Sequence, residues 1–116
     1  MLTIVGIKNC STIKKTLSWL DERETPYTFR DVKKSPLSEE ELEDALSKVG
    51  IDTLMNKRGM MWRKLGLAGK DITDQELAEI LLENQNMIKR PLVLAGDAAM
   101  VGFDEDALAG FIEEYA

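Results

Sequence analysis

The chain has 116 residues, of which 44% are hydrophobic, and a formal net charge of −6 at pH 7. This length fits one domain, residues 1–116, with a core of ordinary size. The acidic balance argues against nucleic acid as a partner, because phosphates are bound through lysine and arginine. No apolar run approaches the roughly 18 residues of a membrane span, and the N-terminus lacks the apolar region of a signal peptide. We therefore expect a cytoplasmic monomer.

Cys10 is the only cysteine in the chain, and histidine is absent. One thiol cannot form an internal disulfide, so any disulfide chemistry needs a second thiol from outside. The lack of histidine excludes Ser–His and Cys–His nucleophile pairs and removes the commonest zinc ligand. We predict neither a metal site nor a bound cofactor.

The N-terminal residues predict a strand, a tight loop and a helix around the cysteine. Residues 2–6 form an apolar strand, and Ile13, Leu17 and Leu20 follow at helical spacing. Cys10 then lies at the helix N-terminus, where unpaired N–H groups and the helix dipole favour a thiolate over a thiol. The loop therefore predicts a reactive cysteine.

A second strand follows this helix. Pro26 ends the helix, and residues 27–30 alternate between polar and apolar side chains. A strand–helix–strand unit of this length implies a parallel pair joined by a right-handed crossover.

The middle of the chain, about residues 37–86, predicts a helical segment. Gly50 fits the end of its first helix, and residues 52–69 predict one or two short helices. Two helix starts carry a capping box, in which a Ser or Thr N-cap is followed three residues later by Glu. The boxes are Ser38 with Glu41 and Thr73 with Glu76.

The C-terminal third predicts a hairpin and a helix. Residues 91–95 and 98–102 are short apolar strands, joined by a turn at Gly96 and Asp97. Asp104 caps the last helix. The order is βαβ, then helices, then ββα, an α/β fold. The apolar stripe of the last helix is predicted to be Leu108, Phe111, Ile112 and Tyr115.

Acidic residues are absent from three stretches, residues 1–20, 53–70 and 84–96. These stretches hold ten of the 15 Lys and Arg residues and none of the 21 Asp and Glu residues. If the fold brings them together, an acidic molecule acquires one cationic face. The alternative is that the acids cluster on solvated helices.

Three stretches of the chain match a known family in sequence and spacing. They are Gly6-Ile7-Lys8-Asn9-Cys10-Ser11-Thr12-Ile13-Lys14-Lys15, Asn56-Lys57-Arg58-Gly59 with Trp62-Arg63-Lys64-Leu65, and Ile88-Lys89-Arg90-Pro91-Leu92. They resemble the arsenate reductase (ArsC)/Spx family, closest to its YffB-like branch. The resemblance implies a thioredoxin-like fold, in which a four-stranded mixed sheet (βαβ + ββα) carries the helical insertion at about residues 37–86. It also implies that Pro91 is a cis-proline facing the cysteine.

The resemblance also implies an enzyme in which a cysteine thiolate attacks a small oxyanion substrate that arginines hold. Cys10 matches the nucleophile, and Arg90 and Arg58 match binding arginines of the family or of its YffB and Spx branches. Two further arginines of arsenate reductases fall at Asn56 and near Gly102. The physiological substrate is therefore left open.

The residue three positions after Cys10 is Ile13, so the site has one thiol, and an oxidised Cys10 becomes a mixed disulfide. We expect glutathione as co-substrate and glutathione or glutaredoxin as partner. The enzyme would be a glutathione-dependent thiol reductase, with Cys10 as its catalytic residue. The candidate binding residues for a small anionic substrate are Lys8, Asn9, Ser11, Thr12, Lys14, Arg58, Arg90 and Pro91.

Two other functions compete with this hypothesis. One is a Spx-like regulator that binds the RNA polymerase α subunit, although Ile13 removes the Cys-x-x-Cys switch of such proteins. The other is a binding fold without chemistry, in which Cys10 is a small buried apolar residue. In that case Arg58 and Lys8 are structural or solvated cations.

Overall fold

We describe the protein from a computed structural model that covers residues 1–116. It contains four strands, six α-helices and one 3₁₀ helix. In chain order these are β1 (Leu2–Gly6), α1 (Ser11–Glu22), β2 (Thr28–Asp31), α2 (Glu39–Val49), α3 (Ile51–Leu54), α4 (Met60–Lys64), α5 (Asp74–Glu83), the 3₁₀ helix (Gln85–Met87), β3 (Leu92–Ala95), β4 (Ala98–Val101) and α6 (Glu105–Tyr115).

The four strands form one mixed sheet in the order β2-β1-β3-β4. Strand β1 pairs in parallel with β2 and antiparallel with β3, and β3 pairs antiparallel with β4. Val5 at the centre of the sheet lies between Arg30 and Leu92. This is the thioredoxin-like βαβ + ββα arrangement that the sequence predicts, and helices α2–α5 lie between its halves in the chain.

The sheet separates two hydrophobic clusters, because successive side chains of a strand point to opposite faces. Leu2 and Ile4 belong to a cluster of eight buried residues with α1 and α6. Val5 and Ile7 belong to a cluster of 14 buried residues with the helical segment. The chain thus has one sheet with a helical layer on each side.

Capping residues that the sequence predicts stabilise the ends of the helices. Both predicted capping boxes are confirmed, with Ser38 and Thr73 as N-caps. Gly50 ends α2 with φ +84°, a backbone conformation that favours glycine. Asp104 accepts a hydrogen bond from the N–H of Ala107 at 3.0 Å, so the predicted cap of α6 is also confirmed.

Two helix stripes differ from the prediction. In α1, Thr16 is fully buried, whereas Leu17 is only partly buried. Thr16 is accommodated because its Oγ1 donates to the carbonyl of Thr12 at 2.7 Å. Tyr115 is 47% exposed, so its predicted place in the core was wrong. It lies in the last turn of α6, where its ring packs on Phe111 at a centroid distance of 5.0 Å and remains partly in solvent.

Two polar contacts tie the helical segment together and to the sheet. The buried Gln85 side chain accepts from the N–H of Leu37 at 2.7 Å and donates to its carbonyl at 2.8 Å. Arg30 on β2 pairs with Glu41 on α2 at 2.9 Å. The first contact joins the end of the segment to its beginning. No helix combines the length and hydrophobicity needed to cross a membrane.

Candidate active site

Cys10 lies in the loop after β1 and is the N-cap residue of α1. Its backbone is extended, and its carbonyl accepts the N–H of Lys14 at 3.0 Å, the first hydrogen bond of the helix. The thiol makes no capping hydrogen bond and is partly buried. It packs at the edge of both hydrophobic clusters, so the cysteine lies where the two layers meet.

The position of this loop depends on close packing between Gly6 and Ile13. A Cβ added at Gly6 would overlap the Cδ1 atom of Ile13 and lie 2.8 Å from its Cγ1 atom. The first turn of α1 therefore rests directly on the end of β1. Ile13 is only 1% exposed. In a Cys-x-x-Cys motif the second cysteine would stand at position 13, and here that position lies inside the core.

Cys10 lines a cavity of about 430 Å³, which we call the cysteine cavity. Its walls come from four parts of the chain, namely the start of α1, the α3 region, the segment before β3 and the end of β4. The lining residues are Cys10, Thr12, Thr53, Asn56, Ile88, Lys89, Arg90, Val101 and Gly102. None carries a carboxylate, whereas two are cations.

The two cations of the cavity differ in their surroundings. The three ion pairs of the chain are Arg30–Glu41, Lys48–Asp44 and Lys57–Asp52, so Arg90 has no carboxylate partner. The pKa of Asp52 lies below its ordinary value, chiefly because Lys57 donates a hydrogen bond to it, with smaller effects of the charges of Lys57 and Lys89. Neither Lys89 nor Arg90 is in an ion pair, but Lys89 is exposed and lies near Asp52, whereas Arg90 is half-buried.

Backbone pairing places the cavity walls. Met55 and Ile88 form an isolated antiparallel bridge. Next to it, the N–H of Asn56 donates to the carbonyl of Met87, and the N–H of Lys89 donates to the carbonyl of Leu54, both at 2.7 Å. These bonds fix Asn56 beside the residues that precede β3.

Pro91 connects the two parts of the cysteine cavity wall that carry Arg90 and Gly102. The peptide bond between Arg90 and Pro91 is cis, as the family resemblance implies. The carbonyl of the buried Pro91 accepts the N–H of Gly102 at 2.9 Å. This contact joins the segment that carries Arg90 to the end of β4, so both sides of the hairpin face the cavity.

A second cavity of about 240 Å³ adjoins the first, and we call it the Met–Trp cavity. It shares Asn56 and Arg90 with the cysteine cavity. Its other lining residues are Ile7, Lys33, Gly59, Met60, Met61, Trp62, Asn86 and Met87. Again no carboxylate lines it. Asn56 and Arg90 therefore lie between the two adjoining cavities.

The structure brings together three of the predicted site residues, Cys10, Thr12 and Arg90. Lys8, Asn9 and Ser11 are exposed in the loop and at the start of α1, outside the cavity lining. Lys14 lines a separate groove beside Trp19. Arg58 is exposed and outside both cavities, and Pro91 is buried behind the wall.

Sequence reasoning missed Thr53 and Lys89 as cavity residues. It named Asn56 and Gly102 only as positions where related enzymes carry arginine, and both line the cavity. A signal was present, because all three acid-free stretches contribute lining residues. No group of three or more metal-ligating side chains is found anywhere in the chain.

Comparisons with known proteins place this site in a family. The model of the ArsC family matches residues 5–111. The solved YFFB (PA3664) protein is 35% identical, with a TM-score of 0.88, and the match covers 95% of this chain and 97% of that one. A solved arsenate reductase (ArsC) related protein from Brucella melitensis is 34% identical, with a TM-score of 0.78, over 97% and 94% of the two chains. The global transcriptional regulator Spx of Enterococcus faecalis is 30% identical over 97% of this chain and 86% of its own length.

Proposed function

Because this chain belongs to the ArsC family, we propose that it is a cytoplasmic, glutathione-linked thiol oxidoreductase with Cys10 as its nucleophile. One observation carries the proposal. The only thiol of the chain lines the same carboxylate-free cavity as a half-buried arginine that has no ion-pair partner. A nucleophile beside a free anion-binding group suits a small, negatively charged sulfur compound.

The proposed reaction is thiol–disulfide exchange. The Cys10 thiolate attacks one sulfur of a disulfide that contains glutathione, a Cys10–sulfur bond forms, and the original S–S bond breaks. The leaving thiolate takes a proton from water. A second glutathione, or a glutaredoxin thiol, then attacks the Cys10 mixed disulfide, so that Cys10 is released as a thiolate and a new disulfide leaves. An outside thiol is required because the chain has no second cysteine.

Arg90 would hold the substrate. Its guanidinium can donate two parallel hydrogen bonds to a carboxylate, and glutathione has two carboxylates. The N–H groups of the first turn of α1 have no carbonyl partners within the helix, so they can stabilise negative charge that develops at Cys10. Asn56 and Gly102 supply no positive charge where arsenate reductases carry arginine, which favours a carboxylate-bearing thiol over arsenate.

The test measures covalent reaction at Cys10. Wild-type protein and the Cys10→Ser variant are incubated with glutathione disulfide and examined by mass spectrometry, and the alkylation rate of the wild-type thiol is followed against pH. We expect one glutathione adduct on the wild type, none on the variant, and faster alkylation than that of free cysteine at neutral pH. Glutathione should slow the alkylation more than arsenate does. No adduct together with ordinary thiol reactivity would overturn the proposal.

The similarity to Spx over almost the whole chain supports a second candidate, a regulator that binds the RNA polymerase α subunit. We rank it lower because the position of the second switch thiol is the buried Ile13. A pull-down with purified α subunit tests it. Stable capture by an otherwise unreactive protein would favour the regulator over the enzyme.

A further inference from the structure

We infer that the substrate carries an apolar alkyl or aryl group on the sulfur that glutathione is bonded to, and that this group binds in the Met–Trp cavity. The inference rests on the proposed function, because it names the substrate class of the same site. The substrate would then be a mixed disulfide between glutathione and an apolar thiol.

The cysteine cavity and the Met–Trp cavity adjoin each other. Arg90 and Asn56 line both of them, with Cys10 in one and Trp62 in the other. A disulfide that reaches Cys10 while a carboxylate binds Arg90 therefore lies next to the second cavity, and its other substituent would be directed there. Glutathione alone has no apolar group to fill that space.

The lining of the second cavity is the next argument. Ile7 and Met87 are buried, whereas Met61 and Trp62 are half-buried. Methionine side chains are flexible and polarisable and make favourable contacts with aromatic rings. Met60 also lines the cavity, and its side chain is 84% exposed. These side chains suit an apolar group of variable shape.

Charge and size restrict the occupant further. Lys33 and Arg90 are the only charged residues that line the cavity, and both are cations. An apolar group attached to an anionic molecule matches this lining better than a neutral or cationic one. The volume of 240 Å³ exceeds the roughly 150 Å³ of an apolar cavity that accepts benzene in another protein. One aromatic ring or a short alkyl chain fits, and a second tripeptide does not.

The reaction of such a substrate balances with glutathione alone. The Cys10 thiolate attacks the glutathione sulfur, and the apolar thiolate leaves and takes a proton from water. A second glutathione thiolate then attacks the Cys10–glutathione disulfide and releases glutathione disulfide. In sum, the mixed disulfide and one free glutathione are converted into the apolar thiol and one glutathione disulfide.

The experiment compares two unreactive probes, S-benzylglutathione and S-methylglutathione, by titration calorimetry. Both can bind Arg90, and only the benzyl group fills the Met–Trp cavity. We expect the benzyl compound to bind the wild type about tenfold or more tightly, since burial of one ring removes a large apolar area from water. Met61→Ala should remove most of this preference and Met60→Ala part of it, without affecting the methyl compound.

The controls separate this inference from the proposed function. Leu65→Ala is matched to the methionine variants, because Leu65 is 39% exposed just after α4 and lines neither cavity. It should keep the full preference. Folding of Met60→Ala is not at risk, since that side chain is mostly in solvent. Equal binding of both probes to the wild type, or binding of neither, would overturn the inference. In either case a glutathione adduct on Cys10 would leave the proposed function standing, and its absence would remove both.

Discussion

The two faces of the sheet contribute different things to the site. The face with α1 and α6 packs on a cluster of eight buried residues, and the start of α1 carries Cys10, the proposed nucleophile, at the edge of both clusters. The face with the helical segment packs on a cluster of 14 buried residues and provides Thr53, Asn56 and the Met–Trp cavity. Arg90 lies at the junction. Under the proposed function, the loop where the two layers meet would supply the chemistry, and the helical segment would supply the substrate selection.

The two contributions also differ in how they are assembled. The cysteine loop is made within a few residues, where β1 ends and α1 begins. The recognition side needs residues that lie far apart in the chain, such as Thr53 and Lys89, to be joined by the Met55–Ile88 bridge. Changes in the helical segment should therefore impair binding without removing the reactivity of the thiol.

Gln85→Ala should have the largest effect on stability. The Gln85 side chain satisfies both backbone groups of Leu37 in a buried place, and an unsatisfied buried polar group costs about 1–3 kcal/mol. We expect a loss of about 3 kcal/mol in the free energy of unfolding, measured in urea. Alkylation of Cys10 by a neutral reagent should stay near the wild-type rate under native conditions.

Gln75→Ala is the matched control, because Gln75 is exposed on the neighbouring helix α5. It should change stability by no more than about 0.5 kcal/mol. Equal losses in the two variants would show that the contact with Leu37 does not hold the segment in place. If Gln85→Ala also lowered the alkylation rate of Cys10, the two layers would not be independent of each other.

Arg90→Ala should weaken glutathione binding by about 30-fold, because a hydrogen bond to a charged group contributes roughly 2 kcal/mol. Calorimetric titration with glutathione on the Cys10→Ser background measures this without covalent reaction. Arg58→Ala is the comparison, since Arg58 is exposed and outside both cavities. It should change the affinity by less than threefold, or about 0.6 kcal/mol. A larger loss of affinity for Arg58→Ala than for Arg90→Ala would instead place glutathione binding on the exposed loop that carries Arg58.

The local features of the fold were predictable because each depends on a few neighbouring residues. The capping boxes at Ser38 and Thr73 and the cap at Asp104 are of this kind. Tyr115 was placed wrongly, because helical spacing does not show where the sheet beneath a helix ends. Thr16 was missed as a core residue, because its hydroxyl is satisfied by the preceding turn of its own helix.

The candidate site was harder to predict from the sequence than the local features of the fold. Cys10 stood out as the only thiol at a helix start, and the order of elements brings Arg90 near it. Arg58 and Arg90 were both predicted to bind the anion, the stronger case being Arg90 before Pro91, and only Arg90 lines the cavity. That distinction depends on the bridge beside Met55, a contact between segments far apart in the chain.

Glu41→Gln should have the smallest effect, and it tests how β2 holds the helical segment. The pKa of Glu41 lies below its ordinary value, first because Arg30 donates a hydrogen bond to its carboxylate and next because the N–H of Ser38 does. A lowered folded-state pKa means that the charge adds stability above the unfolded pKa of about 4.3. This stability is lost as the pH falls through the folded pKa.

We therefore expect Glu41→Gln to lose about 1 kcal/mol at pH 7 and to approach the wild type in acid, as measured by urea unfolding from pH 7 to pH 3. Glu43→Gln is the control, because Glu43 lies on the same helix and makes no ion pair. It should show little difference at any pH. A difference for Glu41→Gln that does not depend on pH would show that the charge of Glu41 is not the source.

The packing of Ile13 against Gly6 has a consequence for protein engineering. A dithiol site cannot be installed here by the single replacement Ile13→Cys, because the new thiol would lie in the core and the smaller side chain would leave a void beneath Gly6. To expose a thiol there, the first turn of α1 would have to lift away from the end of β1, which would displace Cys10 as well. The restriction of this site to one thiol is thus set by the packing of the strand and helix, and redesign would have to start with both.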